Sequence, residues 1–93
     1  MSTSKVRDSI VILDYTGRNL VQIPDERHIF AEVAYEPCKI QCDNNIIKVV
    51  KGAVACNVVI LSLSKNLIEK FDFSVLPAKI REVYLSCNKI SRF

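Results

Sequence analysis

The segment Leu61-Ser-Leu-Ser-Lys-Asn-Leu-Ile68 reads apolar, any, apolar, two variable residues, asparagine, any, apolar. The same order returns in Val83-Tyr-Leu-Ser-Cys-Asn-Lys-Ile90, so Asn66 and Asn88 stand 22 residues apart. Ile40-Gln-Cys-Asp-Asn-Asn-Ile-Ile47 fits the same template, with Cys42 in an apolar slot and Asn45 placed 21 residues before Asn66. A looser match, Leu13-Asp-Tyr-Thr-Gly-Arg-Asn-Leu20, has Arg18 in the asparagine slot. Self-similarity at a spacing of this size is the signature of an architecture built by stacking one small supersecondary unit, and an atypical first unit is usual in it.

Working outward, a further apolar residue stands three positions before each segment at Ile10, Val58 and Ile80, with Pro37 as the departure. Three positions after each segment come Ile23, Val50, Phe71 and Phe93, all apolar. With these positions the pattern resembles the leucine-rich repeat family, whose consensus has leucine at the first, fourth, sixth and eleventh places and asparagine at the ninth. The resemblance covers nearly the whole chain, as one domain over residues 1–93 with units at about 10–36, 37–57, 58–79 and 80–93. It implies that Asn45, Asn66 and Asn88 form a ladder of buried amides between successive coils. An asparagine amide suits that role because it both donates and accepts, and an unpaired buried backbone group costs about 1–3 kcal/mol. Arginine has no acceptor, so the first coil is expected to close differently at Arg18 or to belong to a cap.

In a strand successive side chains point to opposite faces, so the alternating apolar residues of each segment belong to the core and those between them to solvent. The connecting segments differ in length. Pro24, Asp25 and Glu26 read as a helix start with acidic residues at its positive end. Ile29, Phe30, Val33 and Ala34 follow at helical spacing and Pro37 stops the run, which predicts a helix over 25–35. Lys51 to Asn57 is short enough only for a turn or two of tight helix, and Phe71 to Lys79, with Pro77, reads as an irregular or briefly helical return. The fold class expected is α/β, a leucine-rich repeat solenoid with a curved parallel sheet of about four short strands and a helical or irregular convex side.

Composition limits what such a fold can do. With 49% hydrophobic and 25% charged residues the chain is too apolar to stay disordered. The net charge of +3 is scattered, with no basic stripe of the kind that neutralises phosphates, so nucleic acid is an unlikely partner. Met1 to Asp8 is short and polar, and the apolar run after it is broken by Asp14 and Arg18. It therefore reads neither as a signal peptide nor as a membrane span. The expected setting is cytoplasmic or nuclear, and Cys38, Cys42, Cys56 and Cys87 are expected to be free thiols. Cys38 and Cys42, four apart on an extended segment, are separated by roughly 13 Å and cannot pair with each other.

Catalytic and metal chemistry find little support. His28 is the only histidine and falls in the expected helix beside Asp25, Glu26 and Arg27, where it reads as solvated. Two cysteines with one histidine do not match structural zinc spacings, so no metal or other cofactor is expected. Cys87 has no strongly basic neighbourhood to activate it. Gly17 and Gly52 are isolated and make no phosphate loop.

The default binding surface of a stack of this kind is the solvent-facing side of its strands. The third places there are Ile12, Lys39, Ile60 and Glu82, the fifth Asp14, Gln41, Ser62 and Tyr84, and the seventh Thr16, Asp43, Ser64 and Ser86. Asp14, Lys39, Gln41, Asp43, Ile60, Ser62, Glu82 and Tyr84 are the candidate partner-binding residues, with Tyr84 and Ile60 as apolar anchors. The expected function is a protein-interaction module, an adaptor or scaffold without chemistry of its own. An RNA-associated role, hinted at by Lys39, Lys48, Lys51 and Lys65, and the targeting of an enzyme domain beyond Phe93 are the alternatives. No polar terminal unit follows the last match, so Leu85, Ile90 and Phe93 are expected to be exposed. The open end is then either the cut edge of a longer stack or a site of self-association.

Overall fold

The computed structural model describes residues 10–50 and 54–90. Lys51, Phe93 and the polar start Met1 to Asp8 lie outside the described residues. Strand β1 is Val11–Asp14, followed by helix α1, Glu26–Val33; strands β2, Cys38–Gln41, and β3, Val58–Ser62, come next. A single 3-10 turn, Phe73–Val75, precedes strand β4, Glu82–Tyr84. The strands make one sheet in the order β1-β2-β3-β4, and every neighbouring pair is parallel. The molecule is thus a small α/β fold with a four-stranded parallel sheet and, among the described residues, one α-helix.

Alternation does what the apolar spacing requires. In β2 Cys38 and Ile40 are buried while Lys39 and Gln41 are half-buried on the other face. The core gathers Cys42, Ile47, Leu61, Leu63 and Ile68, all fully buried, and Ile29 of α1 closes over it. The edge strands are less well covered. Val11, Leu13, Leu85 and Ile90 pack against the core only partly buried, so Leu85 and Ile90 are not left open to water as expected.

Backbone hydrogen bonds repeat from one strand to the next beyond the strands themselves. The N–H groups of Tyr15, Cys42 and Leu63 donate to Gln41, Ser62 and Tyr84, each at 2.8 Å. Two residues on, Gly17, Asn44 and Lys65 donate to Asp43, Ser64 and Ser86, and then Ile46, Leu67 and Lys89 donate back to Leu20, Ile47 and Ile68. Between these bonds the chain turns through a left-handed residue at the same place in every segment: Gly17, Asn44, Lys65 and Cys87, with φ of 65°, 58°, 59° and 57°.

The three asparagines hold these turns together by reaching backwards. Asn66 Nδ2 donates to Leu63 O and Ser64 O of its own turn and to Cys42 O of the turn before, while its Oδ1 accepts the Ile47 N–H at 3.1 Å. Asn88 repeats the arrangement with Leu85 O, Ser86 O, Leu63 O and the Ile68 N–H. Asn45 donates to Cys42 O, Asp43 O and Tyr15 O, and its Oδ1 takes two N–H groups, those of Arg18 and Leu20, both at 2.9 Å. Each amide serves the turn that precedes it. The first segment has no earlier turn among the described residues to serve, which is the physical reason its slot tolerates Arg18.

The departure at Pro37 also resolves. Cys38 pairs with Val58, Lys39 with Ile60, and the register shift between them leaves Val59 as an extra residue in β3. Cys38, fully buried, fills the core place that the template assigned to Pro37. Proline lacks the N–H that position needs; Cys38 supplies one to Asn57 O, while the Pro37 carbonyl accepts from Val11.

Helix α1 begins where Asp25 caps it, its side chain accepting from the His28 N–H at 2.9 Å. It ends two residues short of the expected Tyr35, because Ala34 takes a positive φ of 53° and turns the chain away. Asn57 holds that exit, its Nδ2 donating to Ala34 O and Glu36 O. The 3-10 turn is capped in the same manner by Asp72, which accepts from the Ser74 N–H and is held below its usual pKa by Ser74.

Candidate interaction surface

Pairing fixes which side chains share the face of the sheet opposite the core. Ile12, Lys39, Ile60 and Glu82 are cross-strand partners in one row, and Asp14, Gln41, Ser62 and Tyr84 in the next. The bonds after the strands align Asp43, Ser64 and Ser86 in a third row, which Thr16 joins through the 3.4 Å bond that Gln41 Nε2 donates to its hydroxyl. The structure therefore brings all eight candidate residues onto one surface, about 14 Å across its four strands.

Their environments differ. Ile12 and Tyr84, on the two edge strands, are 59% and 46% exposed. Lys39, Gln41, Asp43 and Ile60 are half-buried, and Asp14 and Glu82 are exposed. Ser62 is buried rather than solvent-facing: its hydroxyl donates at 2.7 Å to Asp43 Oδ1, which also accepts the Ser64 N–H at 3.0 Å. A small hydroxyl beneath a neighbouring carboxylate is covered by it, and a single-strand pattern carries no sign of that neighbour.

Short-range bonds order the periphery too. Asp14 accepts the Thr16 N–H, and Thr16 holds its carboxyl below the usual range. The Tyr84 hydroxyl donates to Glu82 Oε1, and that bond pushes its pKa up. The surface carries three carboxylates, Asp14, Asp43 and Glu82, against one cation, Lys39. It bears no histidine and no activated nucleophile.

The remaining reactive groups lie elsewhere. His28 is exposed on α1, its ring 5.9 Å from that of Tyr15. All four cysteines are free: Cys38 and Cys42 buried, Cys56 and Cys87 exposed. Burial pushes the Cys42 thiol up to about 12, helped by the charges of Asp43 and Asp14, and raises Cys38 as well. Among the described residues no group of three or more histidines, cysteines or carboxylates is placed to hold a metal ion, and no helix is long and apolar enough to cross a membrane. Sequence reasoning missed Asn57, which has no counterpart in the template, and a groove lined by Val21, Ile46, Lys48 and Leu67, residues that three different turns supply. Comparison with known proteins gives no relative: no family model, no curated protein and no solved structure matches the chain.

Proposed function

We propose that the chain is a leucine-rich repeat solenoid that binds another protein through the open face of its parallel sheet, as a cytoplasmic adaptor without catalysis of its own. The observation that carries this reading is the pair of neighbouring cross-strand rows, one starting at Ile12 on β1 and the other ending at Tyr84 on β4, which leaves a large apolar side chain uncovered at each edge of the face. The thrice-repeated asparagine bonds support the solenoid. They tie each turn to its predecessor by the same atoms, as expected of equivalent coils. Aromatic residues are favoured anchors in interfaces, and Tyr84 is pre-set by its bond to Glu82. RNA is disfavoured because the face is net acidic and would repel phosphates.

The test is a partner-affinity comparison. A protein recovered with the wild-type chain should bind Tyr84→Ala about tenfold or more weakly, the loss typical of an anchor of this kind. The urea midpoint should stay unchanged, since Tyr84 is exposed. Undiminished binding by both Tyr84→Ala and Ile12→Ala would refute the sheet face as the contact surface.

A further inference from the structure

On the flank beyond the asparagines the chain carries a different chemistry. The bonds from Ile46 to Leu20, Leu67 to Ile47 and Lys89 to Ile68 lay successive turns side by side, so that Ile46, Leu67 and Lys89 hold equivalent places. Val21 is 63% and Ile46 43% exposed, and with Leu67 and Lys48 they line a groove of about 420 Å³. Lys48 also borders an adjoining hollow with Val49, which is 51% exposed, and Lys70. Single exposed apolar residues are ordinary, but here Val21 and Ile46 line one groove together, and Val49 lines a second hollow that shares Lys48 with it.

The charges favour one kind of occupant. The groove is lined by one cation and no carboxylate. Exposed Lys65 precedes Leu67 by two residues, and exposed Lys89 holds on the fourth turn the place that Leu67 holds on the third. In the adjoining hollow Glu69 and Asp72 stand against Lys48 and Lys70, so charge balances there and the positive excess lies at the groove, and the Asp72 carboxylate is engaged by Ser74. The sheet face has the opposite sign, so an acidic ligand is turned away from it and toward the groove.

We propose that this groove is a second docking site, which takes a short acidic peptide segment, seating an apolar side chain between Val21, Ile46 and Leu67 and a carboxylate against Lys48. The recess favours a peptide over a lipid surface, because membrane binding uses apolar groups that protrude, whereas these line a hollow that receives them. Its volume lies at the lower end of the range of about 300–1,000 Å³ found for sites that take small ligands, enough for a short peptide's side chains.

The site is tested by amide NMR of the full 93-residue chain, titrated with an acetylated peptide built from two Asp-Asp-Leu triplets. Saturable shifts should appear at Val21, Ile46, Lys48 and Leu67 and weaken with added salt. Lys48→Glu should lower affinity about tenfold, and Lys48→Ala several-fold, while Tyr84→Ala leaves it unchanged. A peptide with serine in place of leucine should bind several-fold more weakly. The proposal is overturned if the groove amides do not move up to roughly 1 mM peptide, or if the serine peptide binds equally well. It is overturned too if the same amides shift on concentrating the chain alone, which would make a second copy the occupant, or if they respond only to vesicles containing phosphatidylserine.

Discussion

Replacing Asn66 by alanine tests the backward-reaching amides most directly, and the hydrogen-bond partners set the size of the effect. Asn66 is only 5% exposed. Its loss leaves Cys42 O with Asn45 Nδ2, Leu63 O with Asn88 Nδ2, and Ser64 O with the Asn44 N–H. Those carbonyls lose a second partner and keep a first. The Ile47 N–H, in a fully buried residue, loses the acceptor it has, at about 1–3 kcal/mol, and the weakened carbonyls add about 1 kcal/mol more. Asn66→Ala should therefore cost about 2–4 kcal/mol. In urea unfolding this is a fall in midpoint of about 2 M with an unchanged slope, given a slope near 1–2 kcal/mol/M for a small domain.

Asn88→Ala should cost about half as much, because Asn88 is itself only half-buried, so water can reach the Ile68 N–H once the amide is gone. Asn66→Asp should be worse than alanine at neutral pH, since an ionised carboxylate only accepts and would face three carbonyls. Burial and those carbonyls raise the folded carboxyl above its unfolded value of about 3.9, so the lost stability is recovered below that value and lost again as pH rises through the folded one. A cost under about 0.5 kcal/mol for Asn66→Ala, or equal costs at Asn66 and Asn88, would refute the account of which turn each amide supports.

Lys65 and Cys87 sit in the left-handed region without glycine's freedom, so Lys65→Gly and Cys87→Gly should each raise the urea midpoint, by about 0.5–1 kcal/mol in stability. Ala34→Gly should do the same at the helix exit, where φ is also positive. The Tyr15 hydroxyl is buried without a hydrogen-bond partner, so Tyr15→Phe should be neutral or stabilising by up to about 1 kcal/mol, measured in the same assay. Cys56 and Cys87 should react with a thiol reagent at pH 8 in the native chain while Cys38 and Cys42 stay protected until it unfolds. Because the Cys42 thiol is raised to about 12 when folded, its contribution to stability is intact below the unfolded thiol value and should decline as pH climbs from that value toward 12.

The sequence was legible where one residue type performs one task in every segment. Asn45, Asn66 and Asn88 could be aligned because only an amide serves carbonyls and N–H groups at once, and the alignment fixed the strands, their parallel order and the rows of the outer face. Helix α1 was visible through Asp25 and the spacing of Ile29, Phe30 and Val33, but its end was not, since nothing in Ala34 itself announces a positive φ. The left-handed place was half legible: Gly17 and Asn44 suit it, whereas Lys65 and Cys87 occupy it because the backbone bonds on either side demand it. Pro37 stands in the sequence as a departure from the template because a fixed register cannot anticipate the extra Val59 in the neighbouring strand, which gives the core place to Cys38. Asn57 and the buried Ser62 were hidden for a related reason: each is defined by a partner on another segment, Glu36 O or Asp43 Oδ1, that no local pattern names.

That dependence on neighbours also divides the outer face. Toward its centre Gln41, Asp43, Ser62 and Ser64 spend their polar groups on one another and on Thr16 and Ser86, so their donors and acceptors are largely occupied before any partner arrives. At the two edges Ile12 and Tyr84 remain uncovered. A polar network already satisfied gains little from a new contact and loses what it has if disturbed, whereas an exposed apolar side chain gains from being covered. Binding energy on this face should therefore concentrate at β1 and β4, while the bonded middle fixes the distance between them. A partner that fills only one edge would leave the other as exposed as before, so the geometry favours a ligand long enough to cross all four strands.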